Sequence, residues 1–308
     1  MNSLRFKILL TIILFIILGV FYAYSPNVYS SYKIYYSYLI SIPIILILAA
    51  GLFPLVLARE FDMSFVSILA LSSFIFTYLL NAGVNEFLAL FACFITGIIC
   101  ALLNAFLVLK INVNSIIATI GTSFLIRGFA TILCGGLSIS LDVDLKYLNY
   151  IFTHRLFDAI PMQSIWAVLI YVFLYLLIFR LKIGSGILFC GDNASLMMGY
   201  KPKLIKLFLF INSGILSPLA GVILSLEFAN WWPSLADGYM LIIFAAIFIG
   251  GIYGSKGSVY GVFIGCIIIG ILESGIVAMG YDAYYTRFVY GLIIVLCVAF
   301  YSILRNKL

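Results

Sequence analysis

Ten long apolar segments follow one another along this chain, and each has about the 20 residues that a helix needs to cross a bilayer. Soluble domains carry roughly a quarter of charged residues, whereas this sequence is 65% hydrophobic and 9% charged, with a mean hydropathy of +1.25. The strands of a membrane barrel are about 10 residues of alternating polarity, so the pattern predicts an all-α, polytopic transmembrane helical bundle. The predicted membrane helices cover residues 8–24, 36–58, 64–82, 87–109, 115–134, 163–179, 205–226, 238–254, 259–279 and 287–304.

The distribution of positive charge predicts the orientation of these helices. Of the seventeen Lys and Arg residues, twelve lie in segments on the N-terminal side of the membrane, four lie on the other side, and Arg127 lies within a predicted helix. Because Lys and Arg are enriched in cytoplasmic segments, this asymmetry predicts that both termini are cytoplasmic. The first apolar run follows Arg5 and Lys7 and has no convincing signal-peptide cleavage site, so we expect it to be a retained membrane helix.

Few residues offer catalytic or metal-binding chemistry. The six cysteines form no CxxC pair, and the single histidine, His154, lies in a polar loop. The stretch at residues 251–257 lacks the spacing of a phosphate-binding loop, and we predict a tight turn there. We therefore expect neither an enzyme nor a bound cofactor or metal. Because the excess positive charge lies at helix ends, we expect membrane lipid and no nucleic acid as a partner.

Two loops are longer than the other connections. Residues 135–162 form a polar external loop, and residues 180–204 form a basic cytoplasmic loop. Neither is long enough to fold as an enzyme domain. The sequence thus predicts one transmembrane domain over residues 1–308, and any hydrolysis of ATP is expected on another chain.

Charged and polar residues at membrane depth are costly and therefore informative. Residues 59–64 interrupt two apolar runs, and they form either a cytoplasmic turn or a break in a helix that lines a cavity. Each charged group deep in the membrane needs a partner, which is either another group of the bundle or the solute itself. The candidate residues of a translocation path are Asp62, Ser64, Thr119, Thr122, Arg127 and Glu273.

The basic cytoplasmic loop contains a short segment that is predicted to dock onto a partner. Asp192 or Asn193 can cap a short helix, and Gly199 can end it. Three apolar side chains between them suit a protein groove, because methionine adapts well to such surfaces. The alternative is a helix that lies on lipid headgroups. The residues predicted for docking are Gly191, Asp192, Asn193, Leu196, Met197, Met198 and Gly199.

Four stretches carry a family resemblance through their order and spacing. Residues 61–71 resemble GIDLSVGS-x-x-AL, and residues 115–136 resemble FIATLGT…RG…GG. Residues 184–199 resemble a G…GxN…A…G loop, and residues 250–265 resemble GGxxxxGGKGxxxGTxxG. The sequence thereby resembles the permease subunits of bacterial ABC importers of the ribose/xylose/galactose type, which are related to branched-chain amino-acid permeases. Arg59 and Glu60 stand where this family usually has two glycines.

The resemblance implies a subunit of an ATP-driven importer in the bacterial cytoplasmic (inner) membrane, which moves a sugar or similar small polar solute from periplasm to cytoplasm. Two permease chains, identical or different, would form the path. A separate ABC ATPase subunit would bind ATP, and a periplasmic solute-binding protein would deliver the solute. The segment at residues 191–199 would be the coupling helix that docks on the ATPase. The alternative is an ion-coupled secondary transporter, in which Arg127 and Glu273 are the ionisable groups at membrane depth.

Overall fold

The computed structural model describes residues 3–143, 145–190, 199–250, 252–253, 256–280, 282, 285–286, 288–292 and 295. Helices dominate this part of the chain, as the apolar segments predict. They are α1 (Ser3–Tyr24), α2 (Pro26–Tyr29), α3 (Tyr32–Leu57), α4 (Phe65–Asn81), α5 (Glu86–Ala105), α6 (Ser115–Leu133), α7 (Lys146–Phe152), α8 (Met162–Phe179), α9 (Lys182–Phe189), α10 (Pro202–Phe228), α11 (Tyr239–Gly250) and α12 (Val259–Ala278). A π-helical turn at Phe106–Lys110 extends α5.

Within the described residues, seven helices are long and apolar enough to cross a membrane, and α4 and α11 are shorter apolar helices. Nine of the ten predicted segments thus coincide with helices to within a few residues. Most of the tenth, residues 287–304, lies outside the described residues, although residues 288–292 are helical. The chain is therefore an all-α, multi-pass membrane protein.

The predicted segment 238–254 is too long at its C-terminal end. The helix α11 ends at Gly250, and strand β5 (Ile252–Tyr253) then pairs antiparallel with β6 (Lys256–Gly257). This hairpin is the predicted tight turn between two apolar helices. The backbones of α11 and α12 touch beside it, because a Cβ atom added at Gly250 would collide with the backbone of Gly261.

Two more antiparallel strand pairs order the longer connections. Strand β1 (Ile139–Ser140) pairs with β4 (Asn230–Trp231), which joins the segment after α6 to the segment after α10. Strand β2 (Arg155–Leu156) pairs with β3 (Ile160–Pro161) immediately before α8. The predicted polar loop at 135–162 is therefore an ordered unit built from β1, α7 and the β2–β3 hairpin.

The centre of the bundle is α3, which is packed between α8, α10 and α12. In its most apolar window 83% of the residues are buried, whereas the corresponding value for α1 is 17%. Helices α5, α6 and α8 also expose much of their apolar surface. Helix α10 packs against both α3 and α5, so it connects the centre of the bundle to the exposed helices.

Close packing of α5 and α10 depends on two glycines. A Cβ atom at Gly214 would lie 2.7 Å from the carbonyl oxygen of Gly97 and would also collide with the side chain of Ala101. Such close backbone approach is typical of membrane helices, where small residues replace the hydrophobic driving force between helices. Ser213, the residue before Gly214, is buried between α10 and the rest of the bundle.

Candidate functional site

The connection between α3 and α4 is a short non-helical segment, residues 58–64, which we term the break segment. Helix α3 is closed by hydrogen bonds from Arg59 N to Val56 O (3.1 Å) and from Glu60 N to Leu55 O (3.0 Å). Arg59 has a φ of 61°, in the left-handed region that turns the chain away from the helix. Asp62 and Ser64, which follow, are fully buried within the bundle.

Asp62 is the centre of a polar cluster inside the bundle. Its Oδ1 accepts hydrogen bonds from Ser64 N (2.9 Å) and Ser64 Oγ (2.7 Å), and its Oδ2 accepts one from Ser213 Oγ (3.0 Å). All three residues are at most 2% exposed. A buried carboxylate needs such donors, because burial removes the water that would otherwise stabilise its charge.

Asn104 of α5 extends this cluster to α6. Its Nδ2 donates to Ser64 Oγ (2.6 Å), and its Oδ1 accepts from Thr122 Oγ1 (2.6 Å). A continuous chain of side-chain hydrogen bonds therefore joins the break segment to three helices. We call its members the buried polar cluster: Asp62, Ser64, Asn104, Thr122 and Ser213.

Helix α6 holds the backbone of the break segment. Met63 N donates to Thr119 Oγ1 (3.0 Å), and Phe61 N donates to Ser115 Oγ (3.2 Å). These two hydroxyls satisfy backbone donors that have no helical partner. Thr119 is itself fully buried, and it lies one turn before Thr122 of the cluster.

The structure thus brings together four of the six candidate path residues: Asp62, Ser64, Thr119 and Thr122. They are buried and hydrogen-bonded within the bundle. Within the described parts of the chain, no Lys or Arg nitrogen lies within 4 Å of the Asp62 carboxylate. Neutral hydrogen-bond donors therefore stabilise this carboxylate.

Arg127 lies apart from this cluster and ties α6 to the segment between α10 and α11. Its Nη1 donates to the carbonyl oxygens of Pro233 (2.7 Å) and Leu235 (2.9 Å), and its Nη2 lies 2.7 Å from Asp237 Oδ1. Nη2 also donates to Val66 O at the start of α4 (3.2 Å). These contacts favour the interpretation of Arg127 as a structural pairing group of the bundle.

Glu273, the sixth candidate, is on α12 and half-buried. Its electrostatic neighbours are Tyr239 and Tyr290 rather than the buried polar cluster. Among the hydrogen bonds of the described residues, none joins Glu273 to Asp62 or its partners. The structure therefore places four of the predicted path residues in one group and leaves Arg127 and Glu273 outside it.

An ion pair closes one end of the break segment. Lys206 Nζ of α10 lies 2.6 Å from Glu60 Oε1, and the two side chains are only 19% and 13% exposed. Because both groups have lost most of their water, their attraction is screened less than that of a surface pair. The same helix thus contacts the break segment at Glu60 and at Asp62.

The predicted docking segment is only partly described. Gly191, Asp192, Asn193, Leu196, Met197 and Met198 lie outside the described residues. Gly199 is described, and its φ of 75° is in the left-handed region that glycine adopts without strain. The docking role of all seven residues stays a prediction.

The sequence reasoning missed Asn104, Ser213 and the Glu60–Lys206 pair. Asn104 had a usable signal, because a single amide in an apolar span is costly unless it is hydrogen-bonded. Ser213 had none of this kind, because a serine in a membrane helix commonly bonds to its own backbone. The ion pair joins residues that are 146 positions apart in the sequence, and a sequence pattern does not show that two such residues are close in space.

An apolar groove of about 430 Å³ lies between α3, α8 and α10 and is lined by residues such as Trp166, Phe173 and Phe208. Its polar lining residue Asn212 is within 3.4 Å of the carbonyl oxygens of Ala50 and Gly51. A polar solute would lose its hydrogen bonds to water there without replacement. This groove therefore suits an acyl chain better than a sugar.

The fold and the buried polar cluster define a multi-pass helical membrane protein with a hydrogen-bonded break between two of its helices. Residues 34–298 match the family described as the permease component of branched-chain amino acid transport systems. This match covers most of the chain, so the protein belongs to that family. The predicted family resemblance is thereby confirmed.

Several relatives align with the chain over most of their length. The chain is 30% identical over 256 residues to the ribose import permease protein RbsC of Bacillus subtilis (strain 168). This alignment covers 82% of this chain and 79% of the relative. It is 27% identical over 292 residues to the D-allose transport system permease protein AlsC of Escherichia coli (strain K12), with 93% and 89% coverage. It is 29% identical over 270 residues to the autoinducer 2 import system permease protein LsrC of Yersinia enterocolitica, with 86% and 74% coverage. No solved structure matches the chain.

Proposed function

We propose that this chain is the membrane-spanning permease subunit of an ATP-driven ABC importer for a sugar or a similar small polar solute. The observation that carries the proposal is the family match over residues 34–298, together with relatives named as permeases for ribose, D-allose and autoinducer 2. The loops of the chain are too short for an ATPase domain. ATP hydrolysis therefore belongs to a partner subunit, and a periplasmic solute-binding protein delivers the solute.

We place the chain in the bacterial cytoplasmic membrane with ten membrane helices and both termini inside. The asymmetry of Lys and Arg supports this orientation. In this arrangement the loop at 180–204 is cytoplasmic and reaches the ATPase through residues 191–199. The loop at 135–162, with α7 and the β2–β3 hairpin, faces the solute-binding protein.

In this proposal α6 carries two residues of the solute path, Thr119 and Thr122, and its other faces contact a second permease chain. Thr119 and Thr122 face the buried polar cluster, whereas Ile117, Phe124 and Ile132 on other faces of α6 are exposed. A single chain therefore leaves this helix uncovered, and a second permease chain or lipid covers it. The second chain is either identical to this one or different.

Purification of this chain from its native membrane after crosslinking tests the proposal. Mass spectrometry is expected to identify an ABC ATPase, and a second, different permease would establish a heterodimer. Met197→Asp is expected to remove the ATPase, because a charge on the docking helix opposes burial in a groove. The control Tyr150→Asp, on an exposed residue of α7, is expected to retain it. Absence of any ATPase from the unaltered, crosslinked sample would contradict the proposal and favour an ion-coupled transporter.

A further inference from the structure

Helix α10 contacts the break segment at two points on one of its faces. Lys206 pairs with Glu60 at 2.6 Å, and Ser213 donates to Asp62 at 3.0 Å. These α10 residues are seven positions apart, which is two helical turns, so their side chains point in nearly the same direction about 10 Å apart. Glu60 and Asp62 are two positions apart in the break segment.

The part of α10 that makes these contacts is continuous with the loop predicted to dock on the ATPase. Helix α10 begins at Pro202, only a few residues after the segment 191–198. The interior proline of this helix, Pro218, follows both contact points, so it interrupts no backbone hydrogen bond between Lys206 and Ser213. A displacement of the start of the helix is therefore transmitted to both contact points.

Other contacts of the break segment are made by different helices. Helix α6 accepts the backbone N–H groups of Phe61 and Met63, and α5 donates to Ser64 through Asn104. When α10 moves relative to α5 and α6, one of these two sets of contacts has to yield. The break segment can follow α10 only while the contacts with Lys206 and Ser213 persist.

We propose that Lys206 and Glu60 are positioning residues that couple α10 to the break segment, so that a movement of the docking loop displaces the buried polar cluster. This inference rests on the proposed function, since it assumes an ATPase on residues 191–199. The ion pair joins two charges that have lost most of their water, so salt screens their attraction only weakly.

Hydrogen–deuterium exchange of the purified complex with its ATPase tests the inference without knowledge of the solute. The probe is ATP with orthovanadate, and the readout is the nucleotide-dependent change in exchange at residues 58–64 and at 199–205. We expect both regions to respond in the unaltered complex. In Lys206→Met the response at 58–64 should fall roughly tenfold, in the range of typical coupling between sites, whereas the response at 199–205 should persist.

Two further variants make the outcome specific. The charge exchange Glu60→Lys with Lys206→Glu should restore most of the response at 58–64, which a merely destabilised protein would not do. Lys110→Met removes an exposed lysine that makes no contact with the break segment and should leave both responses unchanged. An equal response at 58–64 in Lys206→Met and Lys110→Met, with the ATPase bound, would overturn this inference alone. Absence of the ATPase from the unaltered complex would overturn the proposed function and the inference with it.

Discussion

The same serine-to-alanine change should destabilise the protein at one position of α10 but not at another. Ser213 Oγ donates to the Asp62 carboxylate, whereas Ser225 Oγ is fully buried and has no hydrogen-bond partner among the described residues. Both residues are at most 2% exposed and are on the same helix. Differences in helix propensity and in lost side-chain volume therefore cancel between the two variants.

The expected magnitudes follow from these contacts. A hydrogen bond to a charged group contributes about 1.5–3 kcal/mol, and Ser213→Ala leaves Asp62 Oδ2 without its donor, so this variant should lose about 2 kcal/mol. Ser225→Ala removes a desolvated hydroxyl that gains nothing in return, so it should be neutral or stabilising by up to about 1 kcal/mol. The two variants should therefore differ by about 2–3 kcal/mol in their free energies of unfolding.

Reversible unfolding in mixed detergent micelles, followed by tryptophan fluorescence, measures this difference. Trp231 is a suitable reporter because it is fully buried and donates to Ala70 O at 2.9 Å. In an Asp62→Asn background the effect of Ser213→Ala should shrink, because the charge that the hydroxyl stabilises has been removed. Equal shifts for Ser213→Ala and Ser225→Ala would refute the assignment of Ser213 as a partner of the Asp62 carboxylate.

Three further predictions follow from other contacts. Arg127→Met should destabilise the protein by about 2 kcal/mol through its lost carbonyl contacts and increase proteolysis at residues 229–238, whereas Asp237→Asn, at an exposed site, should do so much less. Gly97→Val should lower the thermal unfolding midpoint in detergent, because the new side chain collides with α10 at Pro218 and Gly214; an unchanged midpoint would contradict this packing. Lys182→Cys should be labelled by an impermeant thiol reagent only in opened vesicles, whereas Tyr150→Cys should also be labelled in intact cells. The reverse pattern would contradict the proposed orientation.

The sequence sufficed for most of the helices because their signal is local. An apolar run of about 20 residues identifies a membrane helix whatever surrounds it. The prediction for α11 is too long because the hydropathy of residues 251–254 also fits a longer helix. The end of the helix at Gly250 depends instead on how it packs against its neighbour. The contact of Gly250 with Gly261 joins residues of two different helices.

The buried polar cluster could be predicted only in part, for a related reason. Asp62 and Ser64 are conspicuous because they interrupt an apolar run, and Thr119 and Thr122 share one face of α6. Their grouping with Asn104 and Ser213 depends on how α5 and α10 pack against the break, which no local pattern encodes. Arg127 was recognised as needing a partner, yet its partners come from residues 233–237, which follow a different membrane helix.

The buried polar cluster also limits how this protein can change conformation. Every polar group of the cluster is already hydrogen-bonded, and the loss of any one contact in a buried site costs free energy unless another replaces it. Movement of the break segment therefore requires an exchange of partners rather than a simple separation, either with neighbouring carbonyl oxygens, with water, or with the hydroxyl groups of a solute. A sugar offers many such hydroxyls, whereas an apolar solute offers none. In the proposed importer, a hydroxyl group of the solute would replace Ser213 as the donor to Asp62, or Asn104 as the donor to Ser64, when α10 moves. The conformational change would then depend on a solute that carries hydroxyl groups.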